Sequence, residues 1–317
     1  MLKITRILIT KTPIAFFIKK SKVLKLPGFE GVPLYDVIKF LFGQLKTHGL
    51  TERAAAISYN FIMAIPPSLL FLFTLIPNLP FISKSSLRSQ IRTIIVDIIP
   101  SPEYNKGIIN FVNSFLGDPR IGLLSFGLIL SLFFASNAMM GIIRTFNRKY
   151  IGFENINGLE KRWRAIKLTI IIFAFMLAYL LLLIMQGALL KLMVVDKSWQ
   201  VFIKYFRWAL IIALLFLIIG TIFKYAPAVT KRWKLISPGS IVTTLLSILA
   251  SFGFAIFVSN FGSYNALYGG IGTIMMVMAL IFINSLALLI GFELNVSIRS
   301  VKAAAIERET RERTTQT

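Results

Sequence analysis

Between Lys234 and Glu293 the chain runs through 58 residues without a charge. About 20 residues of helix cross the roughly 30 Å hydrocarbon layer of a bilayer, so this block is too long for one crossing. Its middle, Ser259–Gly270, is rich in Gly, Asn and Ser and reads as a hairpin turn. Two helices result, at about 238–258 and 271–298. A soluble fold would have to hide this block behind polar surface that the chain lacks. Of its 317 residues, 56% are hydrophobic and only 15% charged, where a soluble domain carries roughly 25%.

Four more apolar runs precede the block, at about 54–76, 121–143, 165–190 and 205–223. The core of the last, Trp208–Phe223, is short, and Arg207 and Lys224 must extend their charged heads to the interfaces. In lipid the backbone finds no water partner, so each span should be helical. The segments show no strict alternation, which argues against a β-barrel. The expected fold is an all-α polytopic membrane protein with six transmembrane helices over residues 51–300. Pro66 and Pro67 lie inside the first span and remove two backbone donors, so a kink or break is expected there. A packing kink and a hinge that lines a cavity are both open readings.

Outside the spans, residues 1–50 form a basic segment. Ile14–Ile18 is too short to span and lacks a small-residue cleavage site, so no signal peptide is expected. After Pro33, the residues Leu34, Val37, Ile38, Leu41 and Leu45 fit one face of a helix lying in the interface. Within residues 81–118, two apolar stripes at helical spacing predict an amphipathic helix pair capping one side of the protein. Residues 301–317 are polar and charged, and disorder is expected there.

The net charge is +22, from 35 Lys and Arg against 13 Asp and Glu. In a soluble protein that excess would suggest nucleic acid. Here its distribution matters more. Residues 1–53, 144–167, 224–234 and 299–317 carry 26 of the cations, and the alternate loops carry 9. The positive-inside rule then puts both termini in the cytoplasm and residues 81–118 outside. Nucleic acid is not an expected partner. Anionic lipid headgroups are, with roughly 1 kcal/mol of attraction per surface cation.

The catalytic inventory is poor. Cys is 0 and His is 1, which removes disulfides, thiolate metal sites and cysteine nucleophiles. His48 sits beside Gly49 and reads as solvated decoration. No Gly-x-Ser-x-Gly, Walker loop or metal-ligand spacing occurs. Glu52, Glu154, Glu160 and Glu293 show no clustering of the kind a metal-dependent nuclease needs. No enzyme, metal or cofactor is expected.

Two motifs carry a resemblance. Thr51-Glu-Arg-Ala-Ala-Ala-Ile-Ser-Tyr59, running into the Pro-containing span, resembles the opening motif of the YihY/BrkB family of bacterial inner-membrane proteins. Tyr268-Gly269-Gly270 followed by Gly291-Phe-Glu-Leu-Asn295 resembles its closing motif, commonly Gly-Ala-Glu-Leu-Asn. The resemblance covers about residues 35–300. Phe292 stands where the family commonly has Ala, and the Trp often seen in the last span is missing. The resemblance implies an inner-membrane envelope protein. An old ribonuclease label in the family is widely regarded as mistaken, and other members are linked to serum resistance and to movement of phospholipid or lipid A precursors.

Several polar residues inside the spans need a reason. Glu293 is the only acid there, and Arg53 and Arg144 belong at the same cytoplasmic depth, so a buried ion pair with one of them is expected. Such a pair could lock the helices, gate an entrance or hold a headgroup. Helical spacing aligns Arg53, Asn60 and Ala64 on the first span. It aligns Asn137, Gly141, Arg144 and Arg148 on the second. On the sixth, Asn284, Gly291 and Asn295 align, with Glu293 about 180° from Asn284. These stripes are either ordinary helix-packing glue or the lining of a polar groove. The candidate substrate or gating residues are therefore Arg53, Asn60, Pro66, Pro67, Asn137, Arg144, Arg148, Asn284, Glu293 and Asn295. Two functions fit: a transporter or flippase for an anionic amphiphile, and a non-transporting scaffold for envelope proteins. A membrane ribonuclease is a distant third. Envelope proteins and further copies of the chain are open as partners.

Overall fold

The computed structural model describes residues 20–47, 49–75, 126–147, 150, 152–192, 197–260 and 262–315, with part of 88–113. The main helices are α1 (Leu34–Thr47), α2 (Leu50–Leu75), α3 (Phe126–Ala135), α4 (Asn137–Phe146), α5 (Gly158–Leu192), α6 (Lys197–Tyr225), α7 (Pro238–Asn260) and α8 (Gly262–Thr315). Among the described residues the only β feature is an isolated antiparallel bridge, Phe153 with Val229. The fold is all-α and polytopic. Among the described residues five stretches are long and apolar enough to cross a membrane: Leu50–Leu72, Ile129–Phe146, Trp208–Tyr225, Pro238–Val258 and Ile274–Thr314. The expected span at 165–190 lies within α5, whose side chains from 180 to 192 are outside the described set. Residues 1–19, Arg148 and most of the expected external pair at 81–118 also lie outside the described residues.

The chain divides into two compact units, one of residues up to Ser58 with Thr145–Asn155 and Ile219–Thr317, the other of Tyr59–Arg144 with Ile156–Ile218. In the first unit, α1 starts just after Pro33, with Asp36 in its first turn and Lys46 in its last, each on the side that the helix dipole favours. Its stripe is only partly free for lipid. Val37 is fully buried with Phe29, Val32, Leu294 and Ile298, and Leu34 and Leu41 pack against them. Ile38 and Phe42 stay exposed. Gly49, at φ 54, turns the chain from α1 into α2, and its carbonyl accepts the Arg53 N–H at 3.2 Å.

The long charge-free block forms α7 and most of α8, which pack face to face. A Cβ on Gly239 or on Gly291 would collide with the other helix's backbone. Small residues thus let the two backbones approach, as helices in lipid require. Ser237 caps α7. Its Oγ accepts the Ser240 N–H at 3.2 Å, while Ser240 Oγ accepts the Ser237 N–H at 2.9 Å, a capping box followed by Pro at the first helical position.

Two expectations are corrected, and at the prolines one of two alternatives drops out. The hairpin read at Ser259–Gly270 is shorter, because α7 runs to Asn260 and α8 starts at Gly262. In an apolar medium the helix bond is the only partner a peptide group has, which outweighs the weak propensity of Gly and Asn. The sixth helix does not end near 298, and 301–317 is not disordered over its described length: α8 continues to Thr315. Lys302-Ala-Ala-Ala-Ile306 are mostly strong helix formers, and Arg311 pairs with Glu307 one turn back at 2.7 Å. Finally, α2 passes through Pro66 and Pro67 without a break. Because the two prolines are adjacent, their missing donors fall within a single turn. The interruption lies instead in the second span, where Ser136 separates α3 from α4.

Candidate functional site

In the first unit, Arg53 of α2 and Glu293 of α8 are 2% and 0% exposed and form an ion pair. Arg53 Nη1 donates to Glu293 Oε1, and Arg53 Nη2 donates to the Thr145 carbonyl at 3.4 Å. The Tyr150 hydroxyl donates to the same Glu293 Oε1 at 2.7 Å. Arg53 Nε and Glu293 Oε2 are buried with no hydrogen-bond partner. Between the two expected partners of Glu293, the geometry selects Arg53. Arg144 belongs to the other unit and its side chain is exposed.

An aromatic cluster adjoins this pair through Tyr150. Phe292 is fully buried and stacks on Phe146, centroids 3.9 Å apart and planes at 11°. Tyr150, Phe153 and Trp233 meet Phe292 edge-on. The loop carrying Tyr150 is fixed by Asn147, whose Nδ2 donates to the Ala226 carbonyl at 3.0 Å and whose Oδ1 accepts the Ala228 N–H. Water is kept from the charges, so their attraction acts in a low effective dielectric. Sequence reasoning missed Tyr150 and Asn147. They sit in a loop, and nothing in their spacing marks them.

Polar residues of the sixth span bond within α8 and to α7 and the Ser237 cap that precedes it. Asn295 Oδ1 accepts the Gly239 N–H at 2.8 Å, and its Nδ2 donates to Ser237 Oγ at 3.0 Å. Asn284 Nδ2 reaches Ser251 Oγ at 3.4 Å and the Leu280 carbonyl at 3.0 Å. With Gly291 these residues face α7, and Glu293 faces Arg53. These contacts are those of helix-packing residues.

In the second unit, Asn60 packs beside Gly141, where an added Cβ would lie 2.7 Å from the Asn60 Cβ. Pro66 is exposed and Pro67 half-buried. Asn137 meets a residue that the candidate set left out, Arg162 of α5. Arg162 Nη1 donates to Asn137 Oδ1 at 2.9 Å, to Ser136 Oγ at 3.0 Å and to the Phe133 carbonyl at 3.5 Å. Its Cζ lies 4.3 Å from the centre of the Phe133 ring. Burial, and then the nearby charge of Arg144, lower the Arg162 pKa from the ordinary arginine value. Among the described residues no group of three or more His, Cys, Asp or Glu could hold a metal ion.

The opening and closing motifs therefore meet in space. Arg53 of the first pairs with Glu293 of the second, and Ser58 Oγ lies 3.3 Å from Ser285 Oγ one helical stretch away. The model of the virulence factor BrkB family matches residues 41–315. The chain belongs to the virulence factor BrkB family. It is similar to the ribonuclease-like protein YfkH of Bacillus subtilis, 28% identical over 84% of this chain and 96% of that protein. It is also similar to a UPF0761 membrane protein of Coxiella burnetii, 22% identical over 80% of this chain and 90% of the relative. A UPF0761 membrane protein of Psychrobacter is 22% identical over 88% of this chain and 51% of its own length. No solved structure matches. This BrkB-family chain is thus a membrane protein in which each residue of Gly291-Phe-Glu-Leu-Asn295 has a structural place: Gly291 and Asn295 against α7, Phe292 in the aromatic cluster, Glu293 on Arg53, and Leu294 with Val37.

Proposed function

We propose that this BrkB-family protein moves an anionic amphiphile, such as a phospholipid or a lipid A precursor, across the bacterial inner membrane. The observation that carries the reading is the buried Arg53–Glu293 pair with its unpartnered Glu293 Oε2. A helix bundle that only needed locking would be served as well by apolar residues, since replacing a buried ion pair with them is often neutral or stabilising. Ionisable groups within membrane helices are rare and mark pathways and gates. A carboxylate with one oxygen still open can exchange partners as helices move. The net charge of +22 sets the preference for an anionic cargo. Both termini lie in the cytoplasm on this reading, following the cation count.

The test is translocation of a fluorescent anionic phospholipid in vesicles that contain only the purified protein. Wild type should move it faster than empty vesicles, and Glu293→Gln should move it more slowly. Folded wild-type protein with no movement above empty vesicles would overturn the reading in favour of a scaffold.

A further inference from the structure

We propose that Arg162 and Arg144 form a binding site for a phosphate-type anion, the headgroup contact of an anionic lipid. This deepens the transport reading and rests on it only for what the bound lipid is for. The Arg162 guanidinium is held in place from one side. Its Nη1 is engaged by Ser136 Oγ, Asn137 Oδ1 and the Phe133 carbonyl, with the Phe133 ring beneath it. Its Nε and Nη2, the edge that matches two oxygens of a phosphate, have no partner among the described residues.

Among the described residues no carboxylate pairs with Arg162 or Arg144. Glu160, the acid nearest in sequence on α5, is taken by Arg164, whose Nε and Nη2 donate to its Oε1 at 3.1 and 2.7 Å. The charge that acts on Arg162 is instead that of Arg144, which after burial is the second cause of its lowered pKa. Arg144 lies seven residues beyond Asn137 and so on the same face of α4, with an exposed side chain and no partner among the described residues. Two guanidinium groups whose charges act on one another, with no acid paired to either among the described residues, repel, and an anion that accepts from both removes that repulsion.

The surroundings favour an anion that carries an acyl chain. Ile129, Leu130, Phe133 and Phe134 of α3 are 40–68% exposed and lead away from the arginines as apolar surface. A tail could lie along them with the phosphate on Arg162.

The experiment uses the full chain in detergent and reads its unfolding midpoint on addition of phosphatidylglycerol, phosphatidylcholine or inorganic phosphate. A ligand that binds the folded state raises the midpoint. Phosphatidylglycerol should do so more than phosphatidylcholine. Arg162→Gln and Arg144→Gln should each weaken its binding about tenfold, the loss expected from one charge-assisted contact. Arg162→Lys should recover only part of it, because lysine keeps the charge and loses the fork. Arg164→Gln should behave as wild type. Inorganic phosphate protecting as well as phosphatidylglycerol would support the site with a soluble anion as its ligand. Protection confined to the lipid supports the headgroup. Should Arg162→Gln not fold, Arg144→Gln, exposed and without a described contact, carries the comparison. Equal protection by phosphatidylcholine and phosphatidylglycerol, or undiminished protection in the Arg144→Gln protein, overturns the proposal. Its failure is separable from failure of the transport reading: lipid binding without translocation leaves the site standing, and translocation without arginine-dependent binding leaves the transport reading standing.

Discussion

Arg53 and Glu293 stand 240 positions apart in the chain and pair in the interior, where Tyr150 adds a second hydrogen bond to the same carboxylate oxygen. The arrangement ties the start of α2 to the middle of α8. Removing one partner leaves the other charge buried and uncompensated, at about 3–5 kcal/mol. Glu293→Gln and Arg53→Gln should each lower the unfolding midpoint in detergent, and the double variant should lose less than the sum of the two. Arg144→Gln should add to Glu293→Gln without coupling. Additivity of Arg53→Gln with Glu293→Gln would refute direct pairing.

Phe292 offers a packing test of the same region. It is fully buried, stacked on Phe146 and met at its edges by Tyr150, Phe153 and Trp233. Phe292→Ala would install the residue common in the family motif and leave these rings facing a void. The expected loss is about 3–5 kcal/mol, read as a fall in the thermal midpoint. Phe292→Leu, which keeps most of the volume, should lose less. A neutral Phe292→Ala would mean that the neighbouring rings close the space.

What the sequence revealed divides by range. The apolar runs are local, and five of them appear as crossing segments among the described residues. The Arg53–Glu293 pair was legible because a lone acid in a span must find a cation at its own depth, and only Arg53 and Arg144 qualified. Arg162 was not legible. In sequence it is one of several cations in a loop-like stretch, and only the tertiary contact with Ser136 and Asn137 distinguishes it. The tail misled because its charge composition resembles disorder, while its i, i+4 pairing and alanines favour helix. At the prolines the sequence left a kink and a break open, and the helix continues because the missing bonds are confined to one turn.

The membrane orientation has a direct check in a chain with no cysteine. A cysteine in place of Asn157, which is exposed, should resist an impermeant thiol reagent in intact cells, and one in place of Ser101 should react. The reverse pattern would invert the assignment of both termini to the cytoplasm.

The glycines of the charge-free block separate close packing from mere tolerance. At Gly239 and Gly291 an added methyl would enter the facing backbone of α8 or α7, and neither helix can move away without breaking the Asn295 contact to Gly239. Backbone, unlike a flexible side chain, cannot step aside, so either glycine to Ala should cost about 1–3 kcal/mol through forced separation of the helices. Gly253 lies in the same α7, and a Cβ there meets nothing within 4 Å. Gly253→Ala removes the entropic weakness of a helix-interior glycine and should be neutral or stabilising by about 0.5–1 kcal/mol. Unfolding midpoints of the three single variants give the comparison. If Gly239→Ala and Gly291→Ala fall no further than Gly253→Ala, the close approach of α7 and α8 is not what holds this hairpin together. The hydrogen bonds from Asn295 to Ser237 and Gly239 would then have to supply that hold.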